Sequence, residues 1–135
     1  MDQDGSQGQV CEGGCAGGAC RPAVEWRDPA YLDVEAVHAE MRRVFEVCGE
    51  CRICEDLCDS FPRLFDLIDN APGNAIDKVS PAAFKDVADA CTLCDMCYPI
   101  CPYRPPHDYQ VDFPSLMVRY RALEKKQGKI GFADA

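Results

Sequence analysis

Apolar side chains recur at steps of three and four through residues 34–48, where Val34, Val37, Met41, Val44 and Cys48 fall on one line. That spacing is one face of an α-helix. Asp33, just ahead of it, is an N-cap residue type, so the pattern predicts a helix over residues 33–47. Glu35, His38, Glu40, Arg42 and Arg43 take the other faces, with His38 expected in solvent. A second, short helix is predicted over Phe61–Ile68, with Pro62 in its first turn, and Ala71-Pro72-Gly73-Asn74 breaks it. Ser80-Pro81 then has the cap-and-proline signature of a new helix that carries Phe84, Val87, Ala88 and Cys91. Phe113-Pro114 opens a last one through Lys126, with Leu116, Met117, Tyr120 and Leu123 on one face expected to pack back on the domain. No period-two alternation argues for strands, so the fold class expected is mainly α. Met41, Val44 and Cys48 match Phe84, Val87 and Cys91 at an offset of 43, which makes the chain an internal pseudo-repeat.

Each repeat runs into a comb of cysteines. The first is Cys48, Cys51, Cys54 and Cys58, and the second Cys91, Cys94, Cys97 and Cys101 followed by Pro102. Both have the spacing C-x2-C-x2-C-x3-C, the ligand pattern of bacterial-type [4Fe–4S] ferredoxins, in which the fourth cysteine of each run serves the other cluster. The expected cofactors are therefore two [4Fe–4S] clusters. Cluster one falls to Cys48, Cys51, Cys54 and Cys101, and cluster two to Cys91, Cys94, Cys97 and Cys58. Zinc sites of four cysteines are usually built from two separated C-x2-4-C pairs, and a disulfide framework requires an oxidising compartment. Met1-Asp-Gln-Asp-Gly shows no signal peptide, which points to a cytoplasmic location. Both alternatives fit less well than the clusters.

Length and charge refine this. With 135 residues the chain reads as one domain with tails: a flexible Gly/Cys-rich tail over 1–28, an α-helical two-cluster domain over 29–112, and a basic helix and tail over 113–135. Cys11, Cys15 and Cys20 in the first tail match neither comb and read as a redox-labile segment rather than a third metal site. The net charge of −9 excludes nucleic acid as a default partner. No apolar run is long enough to span a membrane, and peripheral membrane association stays open. Residues 1–112 hold 9 Lys/Arg against 21 Asp/Glu, and residues 113–135 hold 5 against 2, so an acidic body could steer a basic redox partner. Were the apolar face of the last helix exposed for a partner instead of packed back, Arg119, Arg121, Lys125 and Lys126 would be its basic fringe. Pro105-Pro106 is expected to keep the chain extended beyond the second comb, and His107 to lie in a polar surface turn. Glu46, Glu50, Glu55, Asp56 and Asp59 flank the first comb, which predicts the lower reduction potential for cluster one.

No nucleophile–base pair or phosphate loop is visible, so no catalytic site is expected, only an electron-transfer component of an oxidoreductase. The alternative is an iron–sulfur redox or iron sensor whose cluster state controls partner binding. The helical context resembles the α-helical ferredoxin domains of succinate dehydrogenase iron–sulfur subunits and heterodisulfide reductase subunits. Cys101-Pro-Tyr-Arg-Pro-Pro-His107 and Val111-Asp-Phe-Pro-Ser-Leu-Met117 further resemble iron–sulfur oxidoreductases related to heterodisulfide reductase, similar to the C subunit of anaerobic glycerol-3-phosphate dehydrogenase. The resemblance covers residues 30–130. It implies a partner that is a CCG-domain or flavin-containing oxidoreductase subunit, since in that family CCG domains follow this one. This sequence reaches Ala135 without them, which also suits a split piece of a larger enzyme, and it has Asp59 where the family places proline after the fourth cysteine.

Overall fold

The computed structural model describes residues 24–128. Cys11, Cys15, Cys20 and most of the predicted N-terminal tail lie outside the described residues. Five α-helices, α1 (Val34–Cys51), α2 (Ser60–Asp69), α3 (Phe84–Ala90), α4 (Cys97–Ile100) and α5 (Phe113–Lys126), are joined by turns and short 3-10 segments, and no strand occurs among the described residues. The fold is mainly α, as the periodicity predicts.

Local chemistry sets the helix starts. Asp33 Oδ2 accepts from the Ala36 amide at 2.9 Å, capping α1. Ser80 Oγ accepts from Ala82 N at 3.3 Å and caps a 3-10 turn, Pro81–Ala83, that leads into α3. Asp112 caps α5 through Ser115 N at 3.2 Å. These side chains satisfy amides that a helix start leaves without partners. Gly73, with φ of +68°, makes the break after α2.

One core gathers every predicted apolar face. Val37, Met41, Phe45, Leu64, Phe84, Val87 and Met117 are essentially inaccessible, each such side chain stabilising by roughly 1.5–3 kcal/mol relative to exposure. Phe61 stacks on Phe113 with centroids 4.6 Å apart, and Phe45 stands edge-on to Phe84 at 5.2 Å. Buried Ser60 donates to the Val87 carbonyl at 2.7 Å, tying α2 to α3. Phe113, Leu116, Met117, Tyr120 and Leu123 of α5 enter the same core.

Three expectations need correction. Helix α1 runs four residues past the predicted end at 47, so Cys48 and Cys51 lie on it. His38 is half-buried rather than solvated, with its ring 6.3 Å from that of Phe84. Pro105-Pro106 does not carry the chain away in extended form. The segment folds into successive turns (His107 N to Arg104 O, 2.9 Å; Gln110 N to His107 O, 2.9 Å), and Val111 N closes it on Tyr103 O at 2.9 Å. Two bases of α5 are engaged as well. Arg119 Nε donates to Tyr31 O at 2.6 Å, and Arg121 reaches the end of α3.

Candidate iron–sulfur site

Both combs take their shape from the helices that feed them. The apolar stripe of α1 ends in Cys48, and one more helical turn places Cys51 before Arg52 stops the helix in the left-handed conformation, φ 56°. Helix α3 is shorter. It ends at Ala90, and Cys91 is already extended, so the second comb unwinds immediately. Leu93 and Asp95 then turn through positive φ, 59° and 68°, and Cys97 starts the single turn of α4. None of the eight thiols is in a disulfide. Cys54 and Cys91 are buried, Cys94 is exposed, and the others are half-buried.

Electrostatic interactions link the thiols within and across the two combs. Cys48 interacts with Cys101, Cys54, Cys97 and Cys51, Cys54 with Cys101, Cys51 and Cys58, and Cys101 with Cys51. Every pair among Cys48, Cys51, Cys54 and Cys101 is therefore coupled. Cys91 interacts with Cys58 and Cys94, and Cys97 first with Cys54, then with Cys91 and Cys58. Cys54 thus senses both Cys58 and Cys97, so the two combs are neighbours.

Their environment opposes free thiolates. Burial, then the neighbouring sulfurs, pushes Cys54 up to about 11 and Cys97 up to about 12, and drives Cys48 well above its ordinary range. Burial also raises Cys91 and Cys101. Amide N–H groups aimed at sulfur work the other way, that of Leu93 at Cys91 and those of Tyr103 and Arg104 at Cys101. Two guanidinium charges add to this. Arg121 Nη2 donates to Ala88 O at 2.5 Å and also to Cys91 O. Arg104 Nη1 donates to Cys101 O at 3.0 Å and to Pro99 O at 2.5 Å.

Cys48, Cys51, Cys54 and Cys101 line a small pocket of about 20 Å³, walled also by Val47, Ile53, Phe61, Phe65, Tyr103 and Val111. No three His, Cys, Asp or Glu side chains among the described residues close on a single-ion site. Crowded thiols in an apolar pocket, with amides and arginines turned toward them, fit an iron–sulfur group: bound metal neutralises the repulsion that otherwise keeps the protons on.

Sequence reasoning missed the carbonyl-gripping roles of Arg104 and Arg121, whose partners lie in other elements. His107 stays in the exposed turn, accepting from Tyr109 N at 3.0 Å, and does not reach the thiols in any recorded bond.

Residues 41–127 match the family described as "Citrate utilization protein B Fer4-like domain", an iron–sulfur domain type. Citrate utilization protein B of Escherichia coli is 31% identical over 83 residues, which are 62% of this chain and 20% of that protein. The chain thus spans about a fifth of that relative's length. No solved structure matches it.

Proposed function

Because the chain belongs to the Citrate utilization protein B Fer4-like domain family, we propose that it transfers electrons through two [4Fe–4S] clusters as part of a larger oxidoreductase. The observation that carries this reading is the crossed grouping of the thiols, with all pairs coupled among Cys48, Cys51, Cys54 and Cys101. Those four would hold cluster one, and Cys91, Cys94, Cys97 and Cys58 cluster two.

When bound, each cluster supplies a one-electron carrier. The chain's own residues do the rest. Val47, Phe61, Phe65 and Val111 keep water from the first pocket. The amides of Tyr103, Arg104 and Leu93 and the charges of Arg104 and Arg121 favour the thiolate form of Cys101 and Cys91. Cys54 and Cys97, which sense one another across the groups, mark the short path between the two sites. The domain makes and breaks no bonds itself. Substrate chemistry belongs to a partner subunit, of the CCG or flavin type that the heterodisulfide reductase resemblance implies. The name of the relative, citrate utilization protein B, suggests that the parent complex serves citrate utilization.

Iron and sulfide analysis of anaerobically purified protein, with EPR after dithionite reduction, tests this. About eight of each, and a spectrum of two interacting reduced clusters, is the expected result. Zinc without sulfide would replace the reading with a structural module. Partner affinity that switches with cluster occupancy would favour a sensor.

A further inference from the structure

Large apolar side chains that stand in solvent collect in the combs: Ile53 (57% exposed), Leu57 (39%), Leu93 (39%), Met96 (61%) and Ile100 (42%). The core beside them is closed, so poor packing does not explain their exposure. They are also paired by the repeat. Ile53 and Met96 each precede the third cysteine of a comb, and Leu57 and Ile100 each precede the fourth. The cysteines they precede form one coupled group, Cys54 with Cys97, Cys58 and Cys101. Leu93 and Met96 flank the exposed Cys94. Apolar side chains held in water around a site stabilise a complex, not the isolated domain.

The same loops carry exposed acids. Glu50, Glu55, Asp56 and Asp59 lie in solvent around the first comb. Of the cations nearby, Arg52 is engaged with Asp69 at 2.6 Å and Arg104 with carbonyls, which leaves exposed Arg63 against the four acids. An apolar centre with a charged border is the anatomy of a protein interface. The sign of the border selects the occupant. A second copy would bring like charge, and an anionic membrane surface or nucleic acid would be repelled.

Resting on the iron–sulfur reading above, we infer that Leu57, Leu93, Met96 and Ile100, with the acids Glu55, Asp56 and Asp59, form the docking surface for a redox protein that presents an apolar centre bordered by Lys and Arg. Electrons then leave beside Cys94 and Met96, where the partner approaches most closely.

The test uses the reduced, cluster-loaded full chain with two oxidants: a lysine-ringed c-type cytochrome and uncharged benzoquinone. The double variant Glu55→Lys with Asp56→Lys should lower the cytochrome rate about tenfold at low salt and flatten its ionic-strength dependence. Met96→Ser with Ile100→Ser should lower it severalfold and keep the salt dependence. Benzoquinone rates, and iron and sulfide content, should stay within about twofold, since none of these residues is a ligand. Glu25→Lys with Glu35→Lys makes the same charge change away from the combs and should have the smaller effect. The surface is overturned if that control slows the cytochrome as much as the comb pair, or if the apolar pair changes nothing. It is equally overturned if sedimentation shows a dimer that Met96→Ser with Ile100→Ser dissociates, because the occupant is then a second copy. A chain that binds no iron and sulfide fails the function itself, whereas a reducible chain indifferent to these variants fails only the surface.

Discussion

Arg52 and Asp95 hold the same left-handed backbone turn, φ 56° and 68°, each directly after the second cysteine of its comb. The hydrogen bonds that follow also repeat: Glu55 N donates to Arg52 O at 3.3 Å, and Tyr98 N to Asp95 O at 3.2 Å. The repeat therefore survives in the backbone where the helices feeding the combs differ in length. Left-handed geometry is tolerated by aspartate and asparagine far better than by β-branched residues. Asp95→Asn should leave thermal stability nearly unchanged, while Asp95→Val should cost about 1–2 kcal/mol. Thermal unfolding of the two variants checks this, and equal melting points would remove the backbone argument.

Phe113 joins α5 to the centre of the molecule, packed on Phe61 at 4.6 Å and Phe45 at 6.1 Å. Its truncation to alanine should destabilise by about 3–5 kcal/mol, the range for a buried phenylalanine. Urea unfolding reads the loss. A cost below about 1 kcal/mol would show that α5 is an appendage.

Arg121 places its charge at the carbonyl of Cys91, and Arg104 does so at Cys101. Arg121→Met should make cluster two harder to reduce, by roughly 60 mV if the loss is a tenfold change for one electron. Cluster one should keep its potential. Arg121→Lys should recover part of the shift, since the charge stays but the fork is lost. An EPR-monitored titration separates the two signals, and equal movement of both would contradict a local effect.

In the parent protein, cluster one should have the lower potential. Glu50, Glu55, Asp56 and Asp59 crowd the first comb, and negative charge opposes an added electron. The second comb exposes Cys94, and water there stabilises the more charged reduced form. The same titration gives the order directly, and a lower potential for cluster two would refute it.

Tyr120 gives a pH signature away from the thiols. Burial, then the Glu124 charge beside it, pushes its phenol up to about 12, from 10.0. A raised folded-state value means the contribution to stability is complete below pH 10 and is lost as pH rises from 10 through 12. Tyr120→Phe removes that component, so the stability gap between parent and variant should change over this window and stay flat below it. Denaturant midpoints at pH 8 and about pH 11 provide the check.

Helices announced themselves where period and caps agreed, as at Asp33, Ser80 and Phe113-Pro114. The extension of α1 through Cys51 was hidden because Gly49 and Glu50 continue no apolar stripe. It depends on tertiary fit: a Cβ on Gly49 would sit 2.6 Å from Ile68 Cδ1, so any larger residue there would require the tip of the Ile68 side chain to shift. The turns at 104–111 were hidden for a similar reason, since their closing bond joins Val111 to Tyr103 and leaves no local pattern. Arg119 and Arg121 looked like surface bases because their acceptors lie far away in sequence, Tyr31 for Arg119 and Ala88 for Arg121. The comb spacing carried the ligand expectation, the crossing of Cys101 to the first comb and Cys58 to the second included, and in the folded chain Cys101 interacts with Cys48, Cys51 and Cys54 while Cys58 interacts with Cys91, Cys97 and Cys54.

That crossing has a consequence during synthesis on the ribosome. Cys48, Cys51 and Cys54 emerge well before Cys101, and Cys58 waits for Cys91 and Cys97. On the proposed ligand sets, neither group of four thiols is complete on a nascent chain that ends between the combs. The core is also still open until Phe113, Met117 and Leu123 of α5 arrive. Insertion of iron and sulfide should then follow translation of the second comb, with the two proposed sites maturing together rather than in order of appearance.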